Sequence, residues 1–364
     1  MAGVYLSYPF CAQKCTYCNF ASGVLPRELE GRYLTALARE IGDFAWPWTP
    51  ETVYIGGGTP SRLESTALAG LLGHIPGRAW QEATIEAAPG DLSPAQVEGW
   101  VQAGINRVSL GVQSFEPREL AQTGRRHTAE TVDREVELLR SHGINNFNLD
   151  LIAGLPHQTV ESFARSLDWI ERLDTPHVSV YMLEVDEDSR LGRELLVLGA
   201  RYGAGTVPDE ASIVAMYEMA VDRLARMGVA RYEISNFARP GFESKHNLKY
   251  WRMEPYAGFG ADAHSFDGRE RRQNLESAGD YVEAWERGAS MTSERVRADL
   301  IEERFLVGLR LSNGVRLLPA DRERFSEPIA RFLGEGLLEE YDGMLRLTNP
   351  GVLYSNEVFQ EFIR

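Results

Sequence analysis

Three cysteines lie within eight residues near the beginning of the chain, in the segment CAQKCTYC that places them at Cys11, Cys15 and Cys18. No other cysteine occurs among the 364 residues. Thiolates are soft ligands that suit iron–sulfur clusters, and a [4Fe–4S] cluster is normally held by four cysteines. One iron of such a cluster would here lack a cysteine ligand and would be open to an added chelator.

The open iron indicates a second cofactor. S-adenosylmethionine (SAM) carries an amino and a carboxylate group on its methionine part, and both are suited to chelate iron. Reduction of a cluster with bound SAM can cleave the sulfonium and release a 5′-deoxyadenosyl radical. The cysteine spacing therefore predicts a site for a cluster and SAM together.

A zinc site is the alternative for three clustered cysteines. Structural zinc generally has four tetrahedral ligands, which often come from two Cys-x2-Cys pairs. The chain has no second pair, and no histidine lies near the triplet in the sequence. These facts favour the cluster over a zinc-stabilised binding module without redox chemistry.

The composition predicts a cytoplasmic globular protein, with 43% hydrophobic and 25% charged residues. No apolar run reaches the roughly 18 residues that a membrane helix needs, and the first residues lack the pattern of a signal peptide. Peripheral membrane contact stays open, and the oligomeric state is not indicated. The net charge of −15, without a segment dominated by Lys and Arg, argues against a nucleic-acid partner.

Short strands alternate with amphipathic helices from residue 1 to about residue 235. This alternation is typical of βαβ units and a parallel sheet, and six units indicate an open, partial (β/α)6 barrel of the α/β class. The predicted strands are Val4–Ser7, Thr52–Ile55, Ala83–Ala87, Arg107–Leu110, Asn146–Leu151 and His177–Met182. The predicted helices between them are Glu28–Asp43, Thr66–His74, Pro94–Ala103, Thr128–His142 and Val160–Leu173.

Five of these strands lead into loops with residues suited to ligand binding, namely PFCAQKC, GGGTP, APG, GVQSF and AGLP. Ligands of parallel α/β proteins bind at the carboxyl ends of the strands. We therefore expect the five loops to converge on one mouth.

The pattern changes after the sixth strand. We predict an irregular segment over Glu184–Pro208, a helix over Asp209–Met227 with Asp209 as its N-cap, and no clear periodicity at 235–270. The last part predicts helices at Ala298–Leu309, Ala320–Leu333 and Val352–Ile363 and a hairpin at Leu337–Leu347 that turns at Asp342 and Gly343. The predicted domains are a partial barrel at 1–235, a connecting region at 236–288 and a small, mainly helical, winged-helix-like domain at 289–364.

Several motifs together resemble those of the HemN-like radical SAM proteins, in the same order over roughly residues 4–364. They are YPFCAQKCTYCNF, GGGTP, IEAAPG, GVQSF, NLDLIAGLP and YEISNFARPG…HNLKYW…GADAHS. Within this family the chain is most similar to the HemW-type haem chaperones. The resemblance implies that Cys11, Cys15 and Cys18 hold the cluster. It implies SAM contacts for Tyr5, Gly57, Gly58, Thr59, Glu86, Gln113, Arg125 and Asp150.

The residue types agree with that assignment. Glycines let a backbone approach a ligand closely. Glu86, Gln113 and Asp150 stand at or just beyond the ends of apolar strands, where a polar group needs a partner because unpaired burial is costly. For Arg125 the alternative is a solvated pair with Arg126.

Three features favour a haem chaperone over an oxidase of the same family. Phe20 stands where the oxidase pattern has a further cysteine, and only ten residues precede Cys11, whereas the oxidases carry a longer extension that helps to close the substrate pocket. The segment HNLKYW matches the HNxxYW motif associated with haem binding in the chaperone group. We therefore expect delivery of haem, as cargo, to haem-requiring respiratory proteins. The alternative is a radical SAM enzyme such as oxygen-independent coproporphyrinogen III oxidase, an oxidative decarboxylase.

The resemblance implies haem contacts for His246, Tyr250 and Trp251. Histidine is the usual proximal haem ligand, and in a helix His246 and Tyr250 would share one face. The alternative is that His246 is hydrogen-bonded and that Tyr250 and Trp251 are core residues. For His264, in GADAHS, we predict a structural histidine with satisfied hydrogen bonds rather than a second haem ligand. Basic residues that are close enough in sequence to pair with haem propionates are Arg239, Lys245 and Arg252.

Overall fold

Six parallel neighbours form the centre of a large sheet in the computed structural model, which describes residues 2–363. They are β1 (Gly3–Tyr8), β2 (Thr52–Gly57), β3 (Glu82–Ala87), β4 (Arg107–Gln113), β5 (Asn146–Ala153) and β6 (His177–Met182). Each strand pairs with the next one along the chain in parallel register. The sheet is open, so the predicted α/β partial barrel of six strands is confirmed.

Helices return the chain between these strands. They are α1 (Arg27–Asp43), a 3-10 helix (Pro60–Arg62), α2 (Ser65–Gly73), α3 (Pro94–Ala103), α4 (Pro117–Thr123), α5 (Ala129–Ser141) and α6 (Val160–Arg172). Helix α4 was not predicted from the sequence. The side chains of Ser93, Thr128 and Thr159 cap α3, α5 and α6, because each accepts a backbone N–H of the first turn that has no partner inside the helix.

The segment after β6, which was predicted to be irregular, contains two helices. They are α7 (Arg190–Leu196) and a 3-10 helix (Arg201–Thr206). The Ser189 side chain caps α7, and the backbone N–H of Leu191 donates to the carbonyl of Thr16 at 2.8 Å. This helix therefore depends on contact with the cysteine loop, which no local pattern reveals. The predicted N-cap Asp209 is confirmed at the start of α8 (Glu210–Arg226).

Short elements extend the sheet at both edges. After α8 come β7 (Ala230–Arg231), β8 (Asn236–Ala238), α9 (Lys245–Trp251), β9 (Tyr256–Phe259), β10 (His264–Phe266), β11 (Glu270–Asn274), α10 (Ala278–Glu286) and β12 (Thr292–Arg297). Strand β8 pairs with β6, whereas β9 pairs in parallel with β1 on the other edge. The HNLKYW segment is helix α9. The predicted domain boundaries stay predictions.

The final residues form a small, mainly helical unit. It consists of α11 (Leu300–Gly308), β13 (Val315–Arg316), α12 (Pro319–Arg324), α13 (Ser326–Gly334), β14 (Leu338–Tyr341), β15 (Met344–Leu347), α14 (Asn349–Leu353) and α15 (Ser355–Gln360). The predicted hairpin is confirmed as β14 and β15. The single helices predicted at Ala320–Leu333 and Val352–Ile363 are each two short helices. The first breaks at Phe325, whose ring packs on Phe305 and Phe362.

In the part of the chain that the structure describes, no helix combines the length and the apolar character needed to cross a membrane.

We expect Phe362→Ala to lower the free energy of unfolding by about 3–5 kcal/mol. The Phe362 ring is fully buried and lies parallel to Phe305, with 4.8 Å between ring centroids, so its removal leaves a cavity. Urea unfolding measures the change. The control Tyr341→Ala removes a ring that is 69% exposed in the same unit, and it should change the value by less than about 0.5 kcal/mol. Equal losses in both variants would contradict the packing described here.

Candidate functional site

A cavity of about 460 Å³ opens at the carboxyl ends of the parallel strands. This volume is within the roughly 300–1,000 Å³ range of small-molecule sites. Predicted site residues that line it are Cys11, Cys15, Cys18, Gly57, Gly58, Thr59, Glu86, Gln113, Arg125 and Asp150. The expectation that the strand-end loops converge is therefore correct for these residues. We call this space the cysteine cavity.

The three thiols lie on one loop between β1 and α1, each partly exposed and none in a disulfide. The loop is held by backbone hydrogen bonds from Cys11 to Gly23 at 2.9 Å and from Thr16 to Thr123 at 3.3 Å. Burial raises the pKa of the Cys18 thiol, although Lys14 opposes the shift. A thiolate at Cys18 therefore needs a compensating cation, which a bound metal centre supplies.

Within residues 2–363, no three His, Cys, Asp or Glu side chains are close enough to hold one metal ion. A [4Fe–4S] cluster binds each thiolate through a different iron, so its ligands stand further apart than those of one zinc ion. Three partly exposed thiols around one cavity therefore fit a cluster better than they fit zinc.

The glycine loop after β2 packs directly on the beginning of the cysteine loop. The N–H of Gly58 donates to the carbonyl of Tyr8 at 2.8 Å, and that of Thr59 donates to Phe10 at 3.0 Å. A Cβ on Gly58 would lie 2.7 Å from the carbonyl oxygen of Phe10 and 2.8 Å from that of Tyr8. Glycine is therefore required at position 58 by the neighbouring backbone.

Glu86 and Asp150 place two carboxyl groups on the wall of the cysteine cavity. Burial raises the pKa of Glu86 to about 7, and the nearby Asp150 adds to the shift. Oε1 of Glu86 accepts from the Tyr54 hydroxyl at 2.9 Å and Oε2 accepts from the N–H of Gly57 at 3.1 Å. Burial also raises the pKa of Asp150, whose Oδ1 accepts from Asn148 at 2.7 Å. Both groups are oriented hydrogen-bond acceptors beside the cavity.

Gln113 and Arg125 come from an irregular end of β4. The pairing of β4 with β5 shifts between Leu110 and Gln113, and Gln113 has a positive φ of 71°. Such bulges redirect side chains near functional sites. Nη1 of Arg125 donates to the carbonyl of Gly111 at 2.5 Å, so this residue lines the cavity and is not a solvated partner of Arg126.

Tyr5 is separated from the other predicted SAM residues. Its ring lines a second cavity of about 580 Å³, and it stacks on Tyr54 with 6.2 Å between centroids. We call this space the aromatic cavity. Its other lining residues are Tyr250, Trp251, Tyr256, Asp262, His264, Phe266, Arg271, Glu303, Leu306 and Val307.

His246 is fully buried and does not line the aromatic cavity. Its Nδ1 is 2.9 Å from Oγ1 of Thr52, and its Nε2 is 2.8 Å from the hydroxyl of Tyr250. Burial lowers its pKa to about 3, with Lys249 and Arg107 contributing. The structure thus agrees with the hydrogen-bonded alternative for His246, while Tyr250 and Trp251 do face a cavity.

His264 differs from the sequence expectation. Its side chain is exposed, lines the aromatic cavity and has no hydrogen-bond partner among the described residues. The prediction of a satisfied structural histidine was therefore wrong, since His264 at the start of β10 is exposed whereas Phe266 at the end of the same strand is buried. Arg239, Lys245 and Arg252 do not line this cavity, whereas Arg271 does.

Two tyrosines near the cysteine cavity were missed. The Tyr17 hydroxyl accepts from Nε of Arg125 at 3.3 Å and lies within the cysteine motif itself. Tyr54 alternates with the buried residues Val53 and Ile55 of β2, and this period of two could have placed it on the inner face of the sheet.

Residues 5–170 match the model of the Radical SAM superfamily, and residues 297–354 match that of the HemN C-terminal domain. The first match runs from β1 into α6 and contains the loops that carry the cysteines and glycines. By its fold and its cysteine cavity the chain is a radical SAM protein. Membership of that superfamily implies SAM and a [4Fe–4S] cluster.

Relatives narrow this class. Heme chaperone HemW of Bacillus subtilis is 35% identical and covers 100% of this chain and 99% of the relative. Heme chaperone HemW of Escherichia coli is 32% identical, and the match covers 99% of this chain and 97% of the relative. The chain therefore belongs to the HemW family. The solved structure of coproporphyrinogen III oxidase (HemN) from Escherichia coli superposes with a TM-score of 0.86 at 21% identity, covering 99% and 89% of the two chains, which supports the fold alone.

We expect the stability of the protein to depend on pH through Glu86. Its pKa is about 7 in the folded chain against an ordinary 4.5, so the folded state holds the proton more tightly. The resulting stability is present below pH 4.5 and is lost as the pH rises through about 7. Between pH 5 and pH 8, the free energy of unfolding of the wild type should fall by roughly 1–3 kcal/mol more than that of Glu86→Gln.

Urea unfolding at both pH values, without added cofactors, measures this difference. Glu98→Gln is the matched control because Glu98 is exposed on α3, and this variant should follow the wild type. If the free energy of unfolding of Glu86→Gln falls with pH as much as that of the wild type, burial does not raise the pKa of Glu86.

Proposed function

We propose that this protein is a haem chaperone that binds haem as cargo and also holds a SAM-liganded [4Fe–4S] cluster. The observation that carries the proposal is the similarity to heme chaperones named HemW over 99–100% of the chain. Two separate cavities, one with three thiols and one with aromatic walls, are what two such ligands require.

In the cysteine cavity, Cys11, Cys15 and Cys18 would hold the cluster and leave one iron for SAM. When bound, this group supplies reductive cleavage of SAM to a 5′-deoxyadenosyl radical. The chain's own residues would orient SAM: Glu86 and Asp150 accept hydrogen bonds, and Arg125 offers a positive charge to a carboxylate. The remaining proposed contacts are Gly57, Gly58, Thr59 and Gln113. Tyr5 is left out of this set because it lines the aromatic cavity.

The acceptors of the cargo would be haem-requiring proteins, such as respiratory ones. We propose the cytoplasm as the compartment, because free thiols that serve as ligands need reducing surroundings. The oxidase alternative is not favoured, since the relatives that cover the whole chain at 32–35% identity are named as chaperones.

We expect Cys15→Ser and Gly58→Ala each to lower the iron and sulfide bound per chain after anaerobic reconstitution. The first removes a thiolate, and the second forces a methyl group into the carbonyls of Tyr8 and Phe10 and so displaces the cysteine loop. Gly70→Ala is the control, because its Cβ would meet nothing within 4 Å. Full iron loading of Cys15→Ser would disprove the proposed ligand set.

The chaperone proposal predicts saturable haem binding without decarboxylation. Titration of the reconstituted protein with haem under anaerobic conditions should give a saturable absorbance change. The same protein, supplied with SAM, a reductant and coproporphyrinogen III, should form no protoporphyrinogen IX. Clear turnover, or no haem-dependent absorbance change, would reject the chaperone.

A further inference from the structure

The cysteine cavity has a second set of lining residues, which the proposed cluster and SAM contacts do not include. They come from the end of β6, from the connection between β7 and β8, and from the C-terminal unit. The members that matter here are Tyr181, Ile234, Ser235, Arg310, Leu353 and Asn356. Because β8 and β7 follow β6 in the sheet, we call this part of the space the β6 end of the cysteine cavity.

Arg310 supplies a positive charge at the β6 end. In the part of the chain that the structure describes, its guanidinium donates no hydrogen bond, and its Nε is buried without a partner. The carboxylate of Glu233 lies 3.9 Å away, measured from Nη2 to Oε2, which is too long for a hydrogen bond. The face of the guanidinium covers the Trp251 ring, 4.5 Å from its centroid. The N–H groups around the edge of the guanidinium therefore remain available to a ligand.

The backbone fixes the position of Arg310 at this end of the cavity. Its carbonyl accepts the N–H of Ile234 at 3.1 Å, which holds the residue against the connection between β7 and β8. Ser235 and Asn356 line the same space, and neither side chain has a hydrogen-bond partner among residues 2–363. A guanidinium with free donors, next to neutral polar groups, is suited to bind a carboxylate or a phosphate.

The surroundings favour a carboxylate with a single charge. Ile234 and Leu353 add apolar surface beside the guanidinium, which suits the hydrocarbon part of a ligand. Glu184 and Asp186 also line the cavity, and their carboxylates repel an anion with several charges. One cation, apolar walls and nearby acidic groups together indicate an apolar molecule with one carboxylate.

We propose that the β6 end of the cysteine cavity binds a small monocarboxylate with an apolar body, and that Arg310 holds the carboxylate through its free N–H groups. The inference rests on the proposed SAM site in the same cavity, to which it adds a second ligand. The whole cavity has a volume of about 460 Å³, of which the cluster and SAM take a part, so the second ligand is small.

The test is an anaerobic calorimetric titration of the reconstituted full-length protein, with SAM present, using hexanoate as the probe. Hexanoate should bind saturably at millimolar concentrations, whereas hexanamide, which has a similar shape and no charge, should not bind. Arg310→Gln should bind hexanoate at least about tenfold more weakly, because it loses charge-assisted hydrogen bonds. Arg310→Lys keeps the charge but not the two-pronged geometry, so its affinity should be intermediate.

A second variant tests the site without altering Arg310. Asn356→Asp has almost the same shape at an exposed position and places a negative charge beside the bound carboxylate, so it should weaken hexanoate binding. Asn145→Asp and Arg295→Gln make the same changes of charge at exposed positions outside the cavity. Both controls should bind hexanoate as the wild type does.

The outcomes separate this inference from the proposed function. If the wild type loads iron and SAM but binds no hexanoate, or if Arg310→Gln and Asn356→Asp keep the wild-type affinity, the inference is wrong and the chaperone proposal stands. A loss of SAM affinity in Arg310→Gln equal to its loss of hexanoate affinity also overturns the inference, because Arg310 would then bind SAM. A wild type that loads no cluster rejects the proposed function, and hexanoate binding by the same sample still decides whether Arg310 forms a carboxylate site.

Discussion

The close contact between the ends of β1 and β2 is the constraint on which the cysteine cavity depends. The N–H of Gly58 bonds the carbonyl of Tyr8 just where the chain leaves the sheet for the cysteine loop, and Thr59 bonds Phe10 two residues later. These bonds fix the beginning of the loop that carries all three thiols, and a side chain at position 58 would collide with both carbonyls. The glycines thus serve the approach of one backbone to another as much as the approach of a ligand.

A row of contacting side chains connects the two cavities through the sheet. Tyr54 stacks between Tyr5 and His246, with centroid distances of 6.2 and 5.3 Å, and its hydroxyl donates to Glu86 at the cysteine cavity. Helix α9 is itself anchored from the sheet, because the buried carboxylate of Glu82 accepts the N–H groups at the helix start. The HNLKYW segment is therefore seated on the strands that carry the SAM-binding candidates, and its position follows theirs.

Where sequence reasoning failed, long-range contacts determine the structure. Helix α7 was missed because its first turn bonds Thr16, about 175 residues earlier in the chain, and period-based reasoning considers neighbours only. The break at Phe325 within a predicted helix follows from its place in a buried cluster of three rings. A haem contact was expected for His246 and a structural role for His264, but His246 is buried and His264 is exposed, since burial of a histidine depends on which strands and helices cover it.

The sequence by itself determined the six central strands, most of the connecting helices and many of the residues that line the cysteine cavity. Those features are encoded locally, in the spacing of the thiols, the alternation of strands and helices, and polar residues at strand ends. Only the tertiary structure decided that Tyr5 belongs to a different cavity, that His246 is enclosed and that His264 is open. These assignments depend on which face of a strand is covered by segments distant in sequence, and no local pattern carries that information.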